Sequence, residues 1–188
     1  MKKLFVLGAV SLLFANAAFA GVLNEKGAYM GLALGKSKFD DDNQYGFSLA
    51  DDKDSSFMLY GGYRFFKWFS VEGRLADLGE FKVDDSGLVD VNYGVLTANA
   101  VFILPFGTSG WEIYGQAGAG IVARSTSLPI GDDEGGVATI GAGVRFTPIK
   151  NLSLALQIDG YGWVEEEDGA PDYDTSIATS QLVIQYNF

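Results

Sequence analysis

The last residues of the chain alternate in polarity, and this pattern constrains the fold more than any other feature. One parity carries Ala178, Ser180, Leu182, Ile184, Tyr186 and Phe188, and the other carries Thr179, Gln181, Val183, Gln185 and Asn187. A period of two is that of a β-strand, and about ten tilted residues are enough to cross a bilayer within a barrel. A terminal aromatic side chain is typical of a membrane interface. We therefore predict a membrane-spanning strand at the C terminus.

The N terminus has the pattern of a secretory signal peptide. Lys2 and Lys3 precede a short apolar core, and a small-residue cleavage site ends at Ala20. The alternative is an uncleaved membrane helix, but the core is shorter than the roughly 20 residues that a spanning helix needs. We predict that residues 1–20 are a cleaved leader and that residues 21–188 are the mature domain. With the terminal strand, this leader indicates the outer membrane of a Gram-negative bacterium.

The mature chain consists of alternating segments separated by two kinds of connection. We predict strands over approximately 28–37, 56–65, 70–79, 91–104, 111–123, 136–146, 152–161 and 176–188. Three connections are short turns, at 66–69, 105–110 and 147–151, and four are long loops, at 38–55, 80–90, 124–135 and 162–175. Short turns on one side and long loops on the other, with an even number of strands, are typical of outer-membrane barrels.

No segment of the mature chain is long and apolar enough for a spanning helix. Only helices and closed barrels satisfy every backbone hydrogen bond in hydrocarbon. The predicted fold class is therefore all-β, an eight-stranded antiparallel up-and-down transmembrane β-barrel with turns in the periplasm and loops outside. Most of the 24 acidic residues fall in the four loops, and aromatic residues cluster near both ends of the strands, as in the two girdles of such barrels.

Strand parity predicts which side chains face lipid and which face the lumen. The predicted lipid-facing set is Met30, Leu32, Leu34, Phe57, Leu59, Tyr63, Phe65, Val71, Leu75, Leu96, Ala98, Ala100, Phe102, Ile113, Ala117, Ile121, Ile140, Val144, Phe146, Leu152, Leu154, Leu156 and Ile158. The predicted lumen set is Tyr29, Tyr60, Arg64, Glu72, Arg74, Asn99, Glu112, Tyr114, Gln116, Arg145, Gln157, Asp159, Gln181 and Gln185. No charge interrupts the lipid-facing set.

Within the lumen set we predict an ionic network in the periplasmic half of the barrel. Its members are Arg64, Glu72, Arg74, Glu112 and Arg145. Buried charges are costly unless they are paired. The structural interpretation is a plug that fills the barrel, and the functional alternative is a gate that passes ions. An eight-stranded barrel is only wide enough to be filled by side chains, so we expect little conduction without rearrangement.

Several short sequences occur in the order and approximate spacing of a known family. They are Gly61-Gly62-Tyr63 followed by Glu72, Leu78-Gly79, Gly31, Leu34-Gly35, Leu96-Thr97-Ala98, Ile113-Tyr114 and Thr147-Pro148. Over nearly the whole mature chain they resemble the membrane domain of the outer-membrane protein A family. The resemblance implies a barrel inserted by the barrel assembly machinery, with Tyr186 and Phe188 as its membrane-assembly signal.

The chain also departs from that family. The family places a buried acid, here Glu72, against basic residues on the fourth and seventh strands, where this sequence has Asn99 and Ser153. Arg74 or Arg145 could replace those partners, and the family's gating switch is not carried over unchanged. The peptidoglycan-binding domain is missing, so we expect no cell-wall anchoring. Small barrels of this type resemble surface proteins concerned with envelope integrity, adhesion or resistance to host defences.

Four other functions compete with this interpretation. Outer-membrane barrels that are enzymes rely on histidine as the general base, and this chain has no histidine. Glu72 or Asp159 could act as a base, but neither has an evident nucleophile beside it. Ser37 and Ser153 look like ordinary small lumen residues.

A small porin-like ion channel is the main alternative. A soluble lipid carrier would need an apolar lumen and a polar exterior. Acidic runs in the loops could bind calcium or magnesium, although their spacing is not that of a calcium loop.

We therefore expect a non-enzymatic barrel with no cofactor, no catalytic residue and no dedicated metal site. Its expected partners are outer-membrane lipid and lipopolysaccharide, the barrel assembly machinery, and a host or surface ligand at the acidic loops. A net charge of −11 argues against binding to nucleic acid. The barrel is expected to be a monomer.

Overall fold

The computed structural model describes residues 26–40, 53–82, 90–126, 133–165 and 173–188. These residues form eight strands: β1 (Gly27–Asp40), β2 (Lys53–Phe66), β3 (Phe69–Lys82), β4 (Asp90–Pro105), β5 (Trp111–Thr126), β6 (Asp133–Ile149), β7 (Leu152–Glu165) and β8 (Tyr173–Asn187). No helix among the described residues has the length and hydropathy to cross a bilayer. The predicted leader and most of the four predicted loops lie outside these ranges.

The strands form one closed antiparallel barrel in chain order. Each strand pairs with its sequence neighbours, and β8 pairs with β1. Following cross-strand partners once around from Tyr29 returns to β1 at Phe39, ten residues further along. A stagger of this size tilts eight strands by roughly 40° from the barrel axis. The predicted fold class is confirmed.

Most strands extend beyond the bounds predicted from the sequence, chiefly at the loop end. For example, β1 continues to Asp40, and Lys38 still pairs with Lys53 on β2 and with Ala178 on β8. Hydrophobic alternation stops where lipid contact stops. Backbone pairing needs no apolar side chain, so the ladder continues past the apolar band into polar sequence.

The two faces of the barrel follow strand parity as predicted. All members of the lipid-facing set are exposed or half-buried, and all members of the predicted lumen set are buried. The outward face includes Leu156 and Ile140, whose side chains are 67% and 69% exposed. Large apolar side chains with this exposure need a hydrocarbon environment.

Glycines on the inner face allow tyrosine rings to lie against the barrel wall. Gly31 and Gly62 are register partners of Tyr60 and Tyr29, and each tyrosine ring lies where a Cβ of its glycine partner would be. At Gly120, a Cβ would collide with the carbonyl oxygen of Leu96 on β4. Glycine at such positions lets neighbouring strands bend tightly around a narrow interior.

We predict that Leu156→Arg destabilises the folded barrel in a bilayer by about 2–4 kcal/mol, because it places a charge in the apolar band. The matched control is Thr108→Arg, which adds the same side chain at an exposed turn and should cost about 0–1 kcal/mol. The measurement is urea unfolding in phospholipid vesicles, followed by tryptophan fluorescence. Equal costs for the two variants would contradict the assignment of the outer face.

Candidate functional site

Three charged side chains form one cluster that spans the lumen near the turn end. Arg64 on β2 donates from both terminal nitrogens to the two carboxylate oxygens of Glu112 on β5, at 2.9 Å each. Arg145, the register partner of Glu112 on β6, donates to the same carboxylate at 3.4 Å. Its guanidinium also lies 4.7 Å from the centroid of the Tyr114 ring. A bidentate contact across the lumen joins opposite walls of the barrel.

A second cluster is centred on Arg74. Its Nε donates to Glu72 Oε2 at 2.8 Å, and its Nη2 also contacts that oxygen. Its Nη1 lies 3.6 Å from Asp159 Oδ1 on β7, which is an ion pair without a hydrogen bond. Tyr29 donates to the other oxygen of Glu72 at 2.8 Å. Asp159 in turn accepts hydrogen bonds from the side-chain amides of Gln116 and Gln157.

The two clusters balance the buried charge. The predicted network contained three arginines and only two acids, whereas the structure adds Asp159 as the third acid. The prediction from sequence includes Asp159 in the lumen set but not in the network. The excess positive charge of the predicted set was the signal that a further acid was required. Of the two arginines that could replace the family's basic partners of Glu72, Arg74 contacts Glu72 and Arg145 contacts Glu112 instead.

Next to the Arg74 cluster, the lumen contains several buried polar atoms with no hydrogen-bond partner among the described residues. They belong to Arg74, Thr97, Asn99, Gln116, Thr139, Thr179 and Gln181. Unpaired buried polar atoms cost free energy unless a small polar molecule or ion bonds to them. This level of the lumen therefore has an unused capacity for hydrogen bonding.

On the loop side of these polar residues, apolar side chains from most of the strands face the lumen. One residue from each of six consecutive strands contributes to this layer, and none is more than 4% exposed: Leu78, Val95, Val122, Val137, Tyr161 and Ile177. We call them the apolar layer. The sequence pattern does not reveal this layer, because the prediction treats the lumen parity as polar. A narrow barrel is filled by side chains of either kind.

The residues that we considered for catalysis have structural partners instead. Ser37 donates to the backbone carbonyl of Leu78 at 2.5 Å, and the Ser153 hydroxyl lies within 3.0 Å of the side chains of Thr147 and Asn187. Glu72 and Asp159 are engaged by Arg74 as described. Among the described residues, no group of three acidic side chains is arranged to hold a metal ion. The rest of the acidic runs considered for calcium or magnesium lies outside the described residues, which include only Asp40 of the first run and Glu165 of the other.

The predicted assembly signal lies where the barrel closes. The backbone nitrogen of Phe188 donates to the carbonyl of Ala28 on β1 at 3.0 Å. The rings of Tyr186 and Phe188 meet edge to face, with centroids 5.1 Å apart. Both are at the turn end of β8. Their role in membrane assembly stays a prediction.

We predict that Glu112→Gln destabilises the barrel by about 3–5 kcal/mol, because it leaves Arg64 and Arg145 buried without their shared carboxylate. The control Asp77→Asn makes the same chemical change at an exposed position and should alter stability by less than about 1 kcal/mol. Urea unfolding in vesicles measures both. If both variants unfold at the same urea concentration as the wild type, the network does not stabilise the barrel.

Comparison with known proteins agrees with this architecture. Similar solved structures include Neisserial surface protein A, with a TM-score of 0.66, 13% identity, and coverage of 89% of this chain and 99% of that one. Ail, the attachment invasion locus protein of Yersinia pestis, gives 0.56 and 23%, with coverage of 87% and 98%. The N-terminal β-barrel domain of Pseudomonas aeruginosa OprF gives 0.57 and 17%, with coverage of 89% and 100%. At these identities the likeness concerns the fold.

No curated protein sequence matches the chain. The family model described as "Outer membrane protein beta-barrel domain" matches residues 5–188. The predicted likeness to the outer-membrane protein A type of barrel is confirmed. The match covers nearly the whole chain, and the protein therefore belongs to the outer-membrane protein β-barrel family.

Proposed function

We propose that this protein is a closed, non-enzymatic barrel that holds four acidic loops at the outer surface of the outer membrane, where they act in surface interaction, adhesion or envelope integrity. The observation that carries the proposal is the filled lumen. Two ion-pair clusters and the apolar layer occupy its cross-section at successive levels. A barrel without an open passage acts at its ends or its wall rather than by transport.

The distribution of charge supports action at the loops. The predicted loops contain most of the 24 acidic residues, whereas the acidic side chains inside the barrel are neutralised by arginines. Uncompensated negative charge is therefore concentrated where a partner outside the cell would meet it. Ail, one of the solved barrels with this fold, is named the attachment invasion locus protein. That name supports adhesion as one form of the proposed role.

The proposal includes the route by which the barrel reaches this surface. Residues 1–20 are removed as a leader, and the barrel assembly machinery recognises the C-terminal strand through Tyr186 and Phe188. The mature chain then functions as a monomer surrounded by outer-membrane lipid and lipopolysaccharide. A host or surface ligand binds at the loops, and nucleic acid does not.

A small ion channel is the second candidate, favoured by the polar atoms without partners beside the Arg74 cluster. We predict that the purified wild type shows no steady open state in a planar bilayer at neutral pH. Glu112→Gln should also stay closed, because the apolar layer remains. A steady conductance of the wild type would support the channel instead. Conductance of the variant alone would show that the ion pairs, and not the apolar layer, close the barrel.

We predict that the acidic loops, and not only the barrel, are needed for the function. The loop-neutralised variant carries amides in place of the acids at 41, 42, 51, 52, 166, 167, 168 and 172. It should fold but fail to restore the detergent resistance or surface binding that a deletion strain loses, because its first and fourth predicted loops have lost most of their negative charge. Asp77→Asn, an acid-to-amide change on the barrel wall, should restore both. Full restoration by the loop-neutralised variant would contradict the proposal.

A further inference from the structure

Two lysines lie on the outer wall of a strongly acidic protein. Lys36 and Lys38 follow Met30, Leu32 and Leu34 on the lipid-facing parity of β1, and both are exposed. No ion pair joins either lysine to a residue whose side chain the structure describes. Among those side chains, their positive charge has no acidic partner.

The register places polar, uncharged neighbours beside Lys36. Its partners are Ser55 on β2 and Ser180 on β8, and both serines are exposed. Lys38 pairs with Ala178 on one side and with a third lysine, Lys53, on the other. None of these register partners is acidic. The exposed hydroxyls and ammonium groups form a surface that can donate hydrogen bonds to an anion.

The position of this surface along the strands places it at the edge of the membrane's apolar region. Leu34 is 57% exposed and lies two residues before Lys36 on the same face. Lys36 therefore marks the edge of the apolar band on the loop side. Lysine stems lie along apolar surface while their charged heads reach the polar headgroup level.

We propose that Lys36 and Lys38, with the hydroxyls of Ser55 and Ser180, bind the phosphate groups of a glycolipid in the outer leaflet. This proposal extends the proposed function and rests on its orientation of the barrel, with loops outside. Phosphate is the ligand that clustered lysines and hydroxyl donors favour. The surface faces sideways from the wall, so a lipid lying against the barrel reaches it more readily than a soluble ligand approaching the loops.

The test measures lipid binding by the detergent-solubilised barrel with native mass spectrometry. The probe is diphosphorylated lipid A, compared with lipid A from which both phosphates have been removed. Lys36→Gln/Lys38→Gln should weaken binding of the phosphorylated form about tenfold or more, because each lysine contributes to attraction for anionic lipid. Binding of the dephosphorylated form should not change.

The matched control is Lys26→Gln/Lys67→Gln, which removes two exposed lysines at the turn end of the barrel. It should retain wild-type binding. Equal losses in the two double variants, or an equal loss with phosphatidylglycerol, would show general charge attraction and overturn the proposal. The loop-neutralised variant separates the two proposals, because it should lose the surface function and still bind lipid A. Heat-dependent gel migration verifies that every variant is folded.

Discussion

The pairing of β8 with β1 is the contact on which the rest of this protein depends. It removes both free edges of the sheet, so every strand can cross hydrocarbon with its backbone groups paired. Because the barrel closes with only eight strands, its interior has room for side chains and little else. Most side chains that face inward therefore pack against their neighbours or pair with them, and the exceptions are the polar atoms beside the Arg74 cluster.

That constraint explains why the lumen has two chemically different levels. Near the turn end, arginine and acidic side chains meet across the barrel, and each charge finds a partner of opposite sign, as Arg64 does in Glu112. Charges in such a confined space are stable only when paired and hydrogen-bonded. Toward the loops, side chains such as Leu78 and Ile177 fill the same cross-section by packing. An apolar layer opposes ion passage independently of the ion pairs below it, because an ion would have to lose its hydration there.

The fold could be predicted because its determinants are local. The parity of residues along each strand specifies which side chains face lipid and which face the lumen. Short turns place consecutive strands next to each other. The contacts of the site are not local: Arg64 and Glu112 are 48 residues apart in sequence, and their meeting depends on the stagger at which the barrel closes. The predicted network lacks Asp159 for the same reason, because strand direction alone gives its level but not the reach of Arg74 across the lumen. The apolar layer was missed because a polar lumen is the rule for wide barrels, and this barrel is narrow.

The lysines of the outer wall bear on how a protein with acidic loops lies in a leaflet of anionic lipid. Its loops and an anionic lipid surface repel each other at short range, and salt screens this repulsion only beyond roughly 8–10 Å. Lysines placed on the wall below the loops, at the positions of Lys36 and Lys38, attract lipid phosphate without reducing the negative charge that the loops present further out. The lysines lie at the edge of the apolar band, and most of the acids belong to the predicted loops. In the proposed arrangement the lysines bind lipid phosphate, and the loops remain available for the proposed partner outside the cell.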